Sequence, residues 1–198
     1  MQTDGGGNVR KPRIIIENVV ASARVDQKID LKAVAASFPE KAYVPGTFPG
    51  MVLKMEKPRS SFLLFENGNI VCTGTRSEID ARDAVMKCVE ELRRAGLLWT
   101  RNPEVKIRNI VAYVNLEDAS IDVESLAADR ADIEVMYEPE QFPGAICHME
   151  EPRVAFLAFS TGKLICTGAR REEDVYRAVE KFMQILEENG ALIRHDHP

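Results

Sequence analysis

The sequence is poor in the residues that build metal centres and redox pairs. Only four cysteines and three histidines occur in 198 residues, and no two cysteines form a C-x-x-C pair. This spacing excludes a zinc knuckle and a thioredoxin-type motif, so we expect no metal and no cofactor. The cysteines are expected to be core thiols, with a disulfide left open for a hyperthermophilic source. They are Cys72, Cys88, Cys147 and Cys166.

Signatures of catalysis are missing as well. Gly5-Gly6-Gly7 lacks the Gly-Lys-[Ser/Thr] that would follow in a phosphate loop, and neither G-x-S-x-G nor H-E-x-x-H occurs. His195 and His197 stand in a terminal His-Asp-His-Pro segment, which we expect to be disordered rather than a metal site. We therefore predict that the chain is not an enzyme.

Long hydrophobic runs are also absent. No stretch of about eighteen apolar residues exists, and the segment 1–11 is polar and glycine-rich, without the apolar stretch of a secretory signal. With 45% hydrophobic and 29% charged residues, we expect an intracellular globular protein that buries a core.

What the sequence does contain is an internal duplication. The string Y-x-P-x-x-F-P-G, which begins at Tyr43, returns 94 positions later at Tyr137, and 17 of the 34 positions from 43 to 76 are identical at that offset. Each copy spans roughly 85 residues, about one small domain. We therefore expect two half-domains related by pseudo-two-fold symmetry.

Charge is distributed unevenly between the two copies. The net charge is −5 and the pI about 5.4, which argues against a nucleic-acid partner because such domains are usually basic. Residues 13–98 nonetheless hold 13 basic and 11 acidic side chains, net +2, whereas 105–190 hold 9 and 17, net −8. Acidic residues cluster beside the second F-P-G string, where they either attract a basic protein surface or solvate a loop. They are Asp129, Asp132, Glu134, Glu138 and Glu140.

Apolar periodicity predicts strands joined by connections too short for crossovers, which favours antiparallel hairpins. In the first copy the predicted strands are 13–23, 50–55, 60–65 and 69–74, with a short helix at 30–36.

A long amphipathic helix is predicted to close each copy. The first runs from 77 to 95, begins with a Thr75-x-x-Glu78 capping box and ends at Gly96, and the second runs from 172 to 189. Trp99, in the linker, is expected to pack between the halves.

The predicted strands have two different faces. Alternation places a wholly apolar set on one face, which we expect to pack on helices, and a mixed set on the other. One long and one short helix per copy cover only one face, so the other is left for a ligand, a partner or a second sheet. The mixed face carries Asn18, Val20, Leu63, Phe65, Val71 and Thr73, and the core face carries Val19, Ala21, Phe62, Leu64, Ile70 and Cys72.

Together these strings resemble the TATA-box-binding protein family in its short archaeal form. The resemblance covers about residues 13–190 and rests on four motifs that each occur twice in the same order: N-[VI]-V-A, Y-x-P-x-x-F-P-G, E-x-P-R or its equivalent, and [NT]-G-x-[IL]-x-C-T-G. It implies an α+β fold, a pseudo-two-fold saddle of two direct repeats. In that fold a ten-stranded curved antiparallel sheet carries four helices on its convex face. The expected segments are a flexible arm at 1–12, repeats at 13–98 and 105–190, a linker at 99–104 and a tail at 191–198.

The resemblance implies a general transcription initiation factor that binds the TATA box in the minor groove of double-stranded DNA. In the family, two phenylalanines per half wedge between base steps and thereby kink and bend the duplex. The matching residues are Phe48 and Phe65 in the first repeat, and Phe142 and Phe159 in the second. Aromatic residues in strands are otherwise usually core, and the paired motifs reverse that interpretation.

Other positions match residues with which the family reads the groove floor. Asparagine and threonine donors suit the acceptors of A·T pairs, and apolar neighbours would clash with the N2 amino group of G·C pairs. The polar residues are Asn18, Asn109, Thr73 and Thr167, and the apolar residues are Val20, Val111, Leu63, Leu157, Val71 and Ile165.

Phosphate contacts are implied for basic residues that flank the sheet. The chain departs from the family pattern there, because His148 stands where a stronger cation is expected and Asn69 occupies the position of Lys163 in the other repeat. Fewer cations predict a shallow salt dependence of DNA binding. The candidates are Lys54, Arg59 and Arg153, with Lys163 and His148 as further ones.

Partners follow from the same resemblance. The family's second-repeat stirrup, here 138–143, binds transcription factor B, which makes Glu138 and Glu140 candidate contacts. RNA polymerase would join indirectly, and the near symmetry of the halves predicts that the protein alone chooses its orientation on DNA weakly. The implied location is the archaeal cytosol with its nucleoid, or the nucleus in a eukaryote.

Two rival interpretations are kept. The chain could resemble the saddle-like substrate-binding appendage of some RNA/DNA-hybrid nucleases, although no residues are left over for a catalytic domain. Alternatively, it could be a protein-interaction module whose apolar face forms a homodimer in the absence of DNA.

Overall fold

The computed structural model describes residues 11–44, 46–128 and 133–195. Within them the strands of the main sheet are β1 (Arg13–Arg24), β2 (Ala42–Tyr43), β3 (Gly50–Glu56), β4 (Arg59–Phe65), β5 (Asn69–Thr75), β6 (Val105–Asn115), β8 (Glu134–Met136), β9 (Gly144–Glu150), β10 (Arg153–Phe159) and β11 (Lys163–Ala169). Strands β7 (Ala119–Ile121) and β12 (Leu192–Arg194) pair separately. The helices are α1 (Leu31–Ser37), α2 (Glu78–Arg94), α3 (Val123–Leu126) and α4 (Glu172–Glu188).

The main sheet has ten strands in the order β2-β3-β4-β5-β1-β6-β11-β10-β9-β8. Neighbouring strands pair antiparallel from β2 to β1 and from β11 to β8. This sheet and the four helices confirm the predicted α+β fold class. The chain divides into two compact units. The first unit comprises 16–111 and 168–174, and the second comprises 112–167, 175–195 and the described residues up to 15. None of the described helices is long and apolar enough to cross a membrane.

Helices cover one face of the strands, as the alternation predicts. All six residues assigned to the core face, from Val19 to Cys72, are 0% exposed. In the first unit α2 packs on β5. The apolar stripe of this amphipathic helix is 0% exposed and consists of Ala81, Ala84, Val85, Cys88, Val89 and Leu92. In the second unit the ring of Phe182 from α4 stacks on Phe156 from β10 with centroids 4.4 Å apart. Burying a ring of this size stabilises the fold by about 1.5–3 kcal/mol.

The start of α2 differs from the prediction. Its N-cap is Ser77, whose hydroxyl oxygen accepts a hydrogen bond from the backbone N–H of Asp80 over 3.0 Å. Thr75 is buried in β5 and donates its hydroxyl to the carbonyl of Val19 instead. The proposed Thr75-x-x-Glu78 capping box is therefore wrong, because the strand continues through Thr75 and leaves the next hydroxyl to cap the helix.

The predicted helix ends are confirmed. Gly96 follows α2 with φ +74°, and the N–H of Leu97 reaches back to the carbonyl of Leu92 over 2.9 Å. Gly190 follows α4 with φ +63°, and the N–H of Ala191 bonds the carbonyl of Leu186 in the same way. This six-to-one bond needs a left-handed residue, which glycine adopts without a steric penalty.

The cysteines lie in the core. All four are free and buried, so no disulfide forms. Burial raises the pKa of the thiols of Cys72, Cys147 and Cys166 to about 12, and that of Cys88 further. A thiol with so high a pKa is protonated at neutral pH and is a poor nucleophile or metal ligand.

Two expectations about the chain's less regular parts are wrong. Trp99 is 74% exposed rather than packed, while its backbone N–H bonds the side-chain oxygen of Gln27 over 2.8 Å. His195 is ordered by a 3.0 Å contact between its ring Nε2 and the hydroxyl of Ser120, next to β12. The segment predicted as a tail at 191–198 thus contains a strand. His197 and most of the predicted arm at 1–12 lie outside the described residues.

Candidate nucleic-acid interface

The strand face opposite the helices is apolar, and apart from Val52, which is 9% exposed, its apolar residues are only partly buried. In the first unit Leu63 of β4 lies in register between Val52 of β3 and Val71 of β5. In the second unit Leu157 of β10 lies between Ile146 and Ile165 in the same way. We call these two rows the apolar ladders. Val20 and Val111 are half-buried as well.

Sequence reasoning missed one member of each ladder, Val52 and Ile146. Both alternate with a residue that it did assign, since Val52 is two residues from Lys54 and Ile146 is two residues from His148. Alternation carried back along β3 and β9 would have found them.

Each predicted wedge pair is assembled within its own unit. The rings of Phe48 and Phe65 have centroids 5.8 Å apart at an interplanar angle of 59°, and those of Phe142 and Phe159 are 5.8 Å apart at 63°. Tilted pairs at this distance are the favourable arrangement for aromatic rings. Phe142 is 38% exposed and the other three rings are half-buried, so the pairs lie at the surface and not in the core.

A glycine makes room for each ring pair. Gly50 pairs with Phe65 and Gly144 with Phe159 across the first position of β3 and β9. A Cβ atom at Gly144 would lie 3.0 Å from Cε1 of both Phe142 and Phe159. At Gly50 it would lie 2.9 Å from both the Phe48 ring and the backbone oxygen of Leu64. The glycine of each F-P-G string is therefore required by the rings on either side of it.

The side chain of Asn18 is held by its oxygen. Asn18 Oδ1 accepts the backbone N–H of Gly74 over 2.8 Å and the hydroxyl of Thr73 over 3.1 Å. A backbone N–H must face an acceptor, so these bonds fix the amide and leave Nδ2, a donor of two hydrogen bonds, to meet a ligand. Asn109 Oδ1 accepts the backbone N–H of Gly168 over 2.7 Å in the equivalent place.

A backbone irregularity makes this bond possible. The register between β1 and β5 shifts between Val19 and Ala21, and Gly74 has φ +95°. Gly168 has φ +103°. A left-handed glycine at a strand bulge turns its N–H out of the ladder, here toward the asparagine.

The hydroxyl of Thr73, which is predicted to read bases, donates a hydrogen bond to Asn18 in this structure. Because a carboxamide oxygen can only accept, the Thr73 hydroxyl must be the donor in its bond to Asn18. Its proton therefore orients the asparagine. Thr167 pairs with Ala155 across β10 and β11, as Thr73 pairs with Ser61 across β4 and β5.

The predicted phosphate-binding cations share the face of the ladders. Alternation within each strand puts each cation on the same face as a ladder residue of that strand. The pairs are Lys54 with Val52 in β3, Arg59 with Leu63 in β4, Arg153 with Leu157 in β10, and Lys163 with Ile165 in β11. All four are exposed, as is His148, and none of the four forms an ion pair with a described carboxylate. The ammonium of Lys54 also lies 5.3 Å from the centroid of the Tyr43 ring.

The loop before β9 carries the predicted acidic contacts. The carbonyl of Glu138 accepts the backbone N–H groups of Gln141 and Phe142, each over 2.9 Å, which folds the loop into a turn. The side chains of Glu138 and Glu140 are exposed. Asp129 and Asp132, which were assigned to the same acidic cluster, lie outside the described residues.

Comparisons with known proteins identify the family to which the chain belongs. The family model described as transcription factor TFIID (or TATA-binding protein, TBP) matches residues 13–95 and 104–189. A TATA-box-binding protein of Pyrobaculum calidifontis is 44% identical over 181 residues, which is 91% of this chain and 89% of that protein. The chain belongs to the TATA-binding protein family. The family consists of DNA-binding transcription factors and not of enzymes.

Other members of the TATA-binding protein family are similar to this chain over nearly its whole length. A TATA-box-binding protein of Archaeoglobus fulgidus is 38% identical over 91% of this chain and 98% of its own length. The solved structure of Methanococcus jannaschii TBP superposes with a TM-score of 0.76 at 38% identity, covering 89% of this chain and 99% of that one. The relatives are archaeal, and the family resemblance inferred from the sequence is confirmed.

The Asn18→Asp variant tests the oriented amide. Gly74 and Thr73 can still donate to a carboxylate, so the fold should persist, whereas the two Nδ2 donors are lost. We expect affinity for an A·T-rich duplex to fall about tenfold to a hundredfold, measured by fluorescence anisotropy. Gln184→Glu on α4 makes the same charge change away from this face, and an equal loss in that control would remove the donor interpretation.

The Gly144→Ala variant tests whether the glycine makes room for the rings of Phe142 and Phe159. The added methyl meets only ring atoms, so the rings should move apart while the backbone stays, and the cost should be about 1–3 kcal/mol of unfolding free energy. Nuclear Overhauser contacts between Phe142 and Phe159 should weaken. Unchanged contacts between the rings would show that the glycine is not required for their packing.

Proposed function

We propose that this protein is a general transcription factor that binds the TATA box through the minor groove, bends the DNA with its phenylalanine pairs, and nucleates a preinitiation complex with transcription factor B and RNA polymerase. The observation that carries the proposal is the pair of surface phenylalanines in each unit, seated on Gly50 and Gly144. Membership of the TATA-binding protein family supports it.

The oriented amides suit the minor groove. A·T pairs present only acceptors there, adenine N3 and thymine O2, so a protein that reads them must offer donors. Asn18 offers its Nδ2 group because Gly74 and Thr73 occupy its oxygen. The bond from Gly168 orients Asn109 in the same sense. A preference for A·T pairs follows from this orientation.

The apolar ladders add exclusion to attraction. A G·C pair places an N2 amino donor in the floor of the minor groove. Against Leu63, Val71 or their counterparts in the second unit, that donor would lose its water and gain no acceptor. An unpaired buried donor costs about 1–3 kcal/mol. Each G·C pair within the contacted steps therefore weakens binding.

The ring pairs account for bending. Apolar side chains inserted between base steps, for which TATA-binding proteins are the standard example, unstack them at a cost of a few kcal/mol per step. Widening the groove in this way lets the apolar ladders reach its floor. The burial of apolar surface, at about 25 cal/mol per Å², offsets the deformation.

The acidic loop of the second repeat is the proposed contact for transcription factor B. Glu138 and Glu140 are exposed on a turn fixed by backbone bonds, so their carboxylates are presented to a basic partner. Their counterparts in the first repeat are Val44 and Gly46, which carry no charge. A basic partner would therefore choose the second repeat.

The remaining partners and the location follow as part of the same proposal. RNA polymerase would be recruited indirectly, through the assembled complex. Without DNA, the half-buried apolar ladders could be covered by a second copy of the chain. Because the relatives are archaeal, we place the protein in the cytosol with the chromosomal DNA.

The double variant Phe48→Ala/Phe65→Ala tests the wedge. Burial of one such ring contributes about 1.5–3 kcal/mol. Loss of two rings should therefore weaken binding to a TATA duplex about a hundredfold or more. Energy transfer between dyes at the duplex ends should fall with it, because one kink is lost. Tyr176→Ala, which removes a half-exposed ring from α4, is the matched control. Parent-like bending by the double variant would contradict the wedge.

Charge reversal in the loop tests the partner surface. Glu138→Lys/Glu140→Lys should abolish the ternary complex with transcription factor B in a gel-shift assay and leave the DNA complex intact, because the carboxylates meet only the protein. Asp83→Lys/Glu180→Lys makes the same charge change on α2 and α4. A ternary complex that forms equally well with both variants would rule out this contact.

A further inference from the structure

A groove of about 990 Å³ borders the candidate interface in the first unit. Val20, Phe65 and Val71 line it, so it is continuous with the surface proposed to meet DNA. The linker 100–104 and the start of β6 line it as well. A duplex lying on the ladder would therefore have this groove beside its backbone.

The charges in the groove do not cancel. Lys106 pairs with Glu104 over 3.1 Å, and Asp26 is the other carboxylate of the lining. Arg24 and Arg108 also line the groove, and no described carboxylate pairs with either of them. Two guanidinium groups therefore stand against one uncommitted carboxylate.

Arg108 is held in place by a strand neighbour. Its Nε donates to the hydroxyl of Ser22 over 2.6 Å, which leaves the two terminal nitrogens of the guanidinium for a ligand. Ser22 lies opposite Val71 in the pairing of β1 and β5. The guanidinium is thus anchored at the edge of the apolar ladder, where a backbone phosphate and not a base would meet it.

Arg24 lies beside the one flanking position at which this repeat has a neutral residue in place of a lysine. The second repeat has Lys163 at the position of Asn69, and Arg24 lies directly opposite Asn69 across β1 and β5. At the offset of 91 that pairs Asn18 with Asn109, the counterpart of Arg24 is the neutral Asn115. At this place the first repeat therefore has its positive charge on β1, opposite Asn69, and not on β5.

Arg108, the second unpaired cation of the groove, has no basic counterpart in the first repeat. At the same offset its equivalent is Glu17, which pairs with Arg76 over 3.3 Å, and the equivalent of Ser22 is Tyr113. The first unit therefore has a cation that pseudo-symmetry does not repeat.

We propose that Arg24 and Arg108 bind backbone phosphates of the DNA that lies on the candidate interface, one phosphate each. This rests on the proposed DNA-binding function and extends it to two residues that motif matching does not indicate. The salt dependence of binding is then steeper than the five flanking candidates alone predict, because log K falls with log salt by about 0.9 per phosphate neutralised.

The test measures that slope by anisotropy on one TATA duplex. Arg24→Asn and Arg108→Gln should each lower its magnitude by about 0.9. Arg24→Asn/Asn69→Lys, which moves the cation to the position it has in the second repeat, should restore the parent slope. A merely structural role for Arg24 would not be rescued in this way. Lys87→Gln, which removes an exposed cation from α2, is the control and should keep the parent slope.

The outcomes are distinguishable. Slopes for Arg24→Asn and Arg108→Gln equal to that of Lys87→Gln, in a protein that binds the duplex, would overturn this inference and leave the proposed function intact. A parent protein that does not bind the A·T-rich duplex would overturn the proposed function, and this inference with it.

Discussion

The packing of helices on only one face of the strands is the constraint from which the other features follow. The covered face takes the large apolar side chains to complete burial, as with Phe62 and Phe156. The opposite face keeps leucine, isoleucine and most valine side chains only partly buried along two ladders. Exposed apolar surface of this extent is unfavourable in water, so it indicates a surface that a partner covers. Every polar group on that face then has to suit the partner rather than the core.

Glycine converts this surface into a specific one. Gly50 and Gly144 make space for aromatic pairs that could not otherwise approach the strand ends. Gly74 and Gly168, at positive φ, turn backbone N–H groups onto asparagine oxygens and so decide which end of each amide meets the ligand. Shape and hydrogen-bond polarity are thus both set by the backbone, before any DNA is present.

Much of this was predictable, because alternation and the repeat constrain strands strongly. The core face, the buried stripe of α2 and both glycine helix ends follow from local patterns. The cap of α2 does not, since Thr75 and Ser77 have the same chemistry and only the length of β5 decides between them. The hydrogen bond from Thr73 to Asn18 and the position of the Arg108 guanidinium also depend on contacts between strands that are far apart in sequence. Motif matching assigns residues one by one. It cannot show that Arg24 on β1 lies opposite Asn69 on β5, the position where the second repeat has a lysine.

The central claim is that the ladders and oriented amides read the minor groove. The most direct measurement compares three duplexes: a TATA box, the same box with inosine·cytosine pairs, and the same box with guanine·cytosine pairs. Inosine lacks the N2 amino group, so its pair presents an A·T-like minor groove and a G·C-like major groove. The account predicts that the first two duplexes bind with nearly equal affinity and that the third binds much more weakly. Loss of binding to the inosine duplex would contradict it, because the protein would then be reading the major groove.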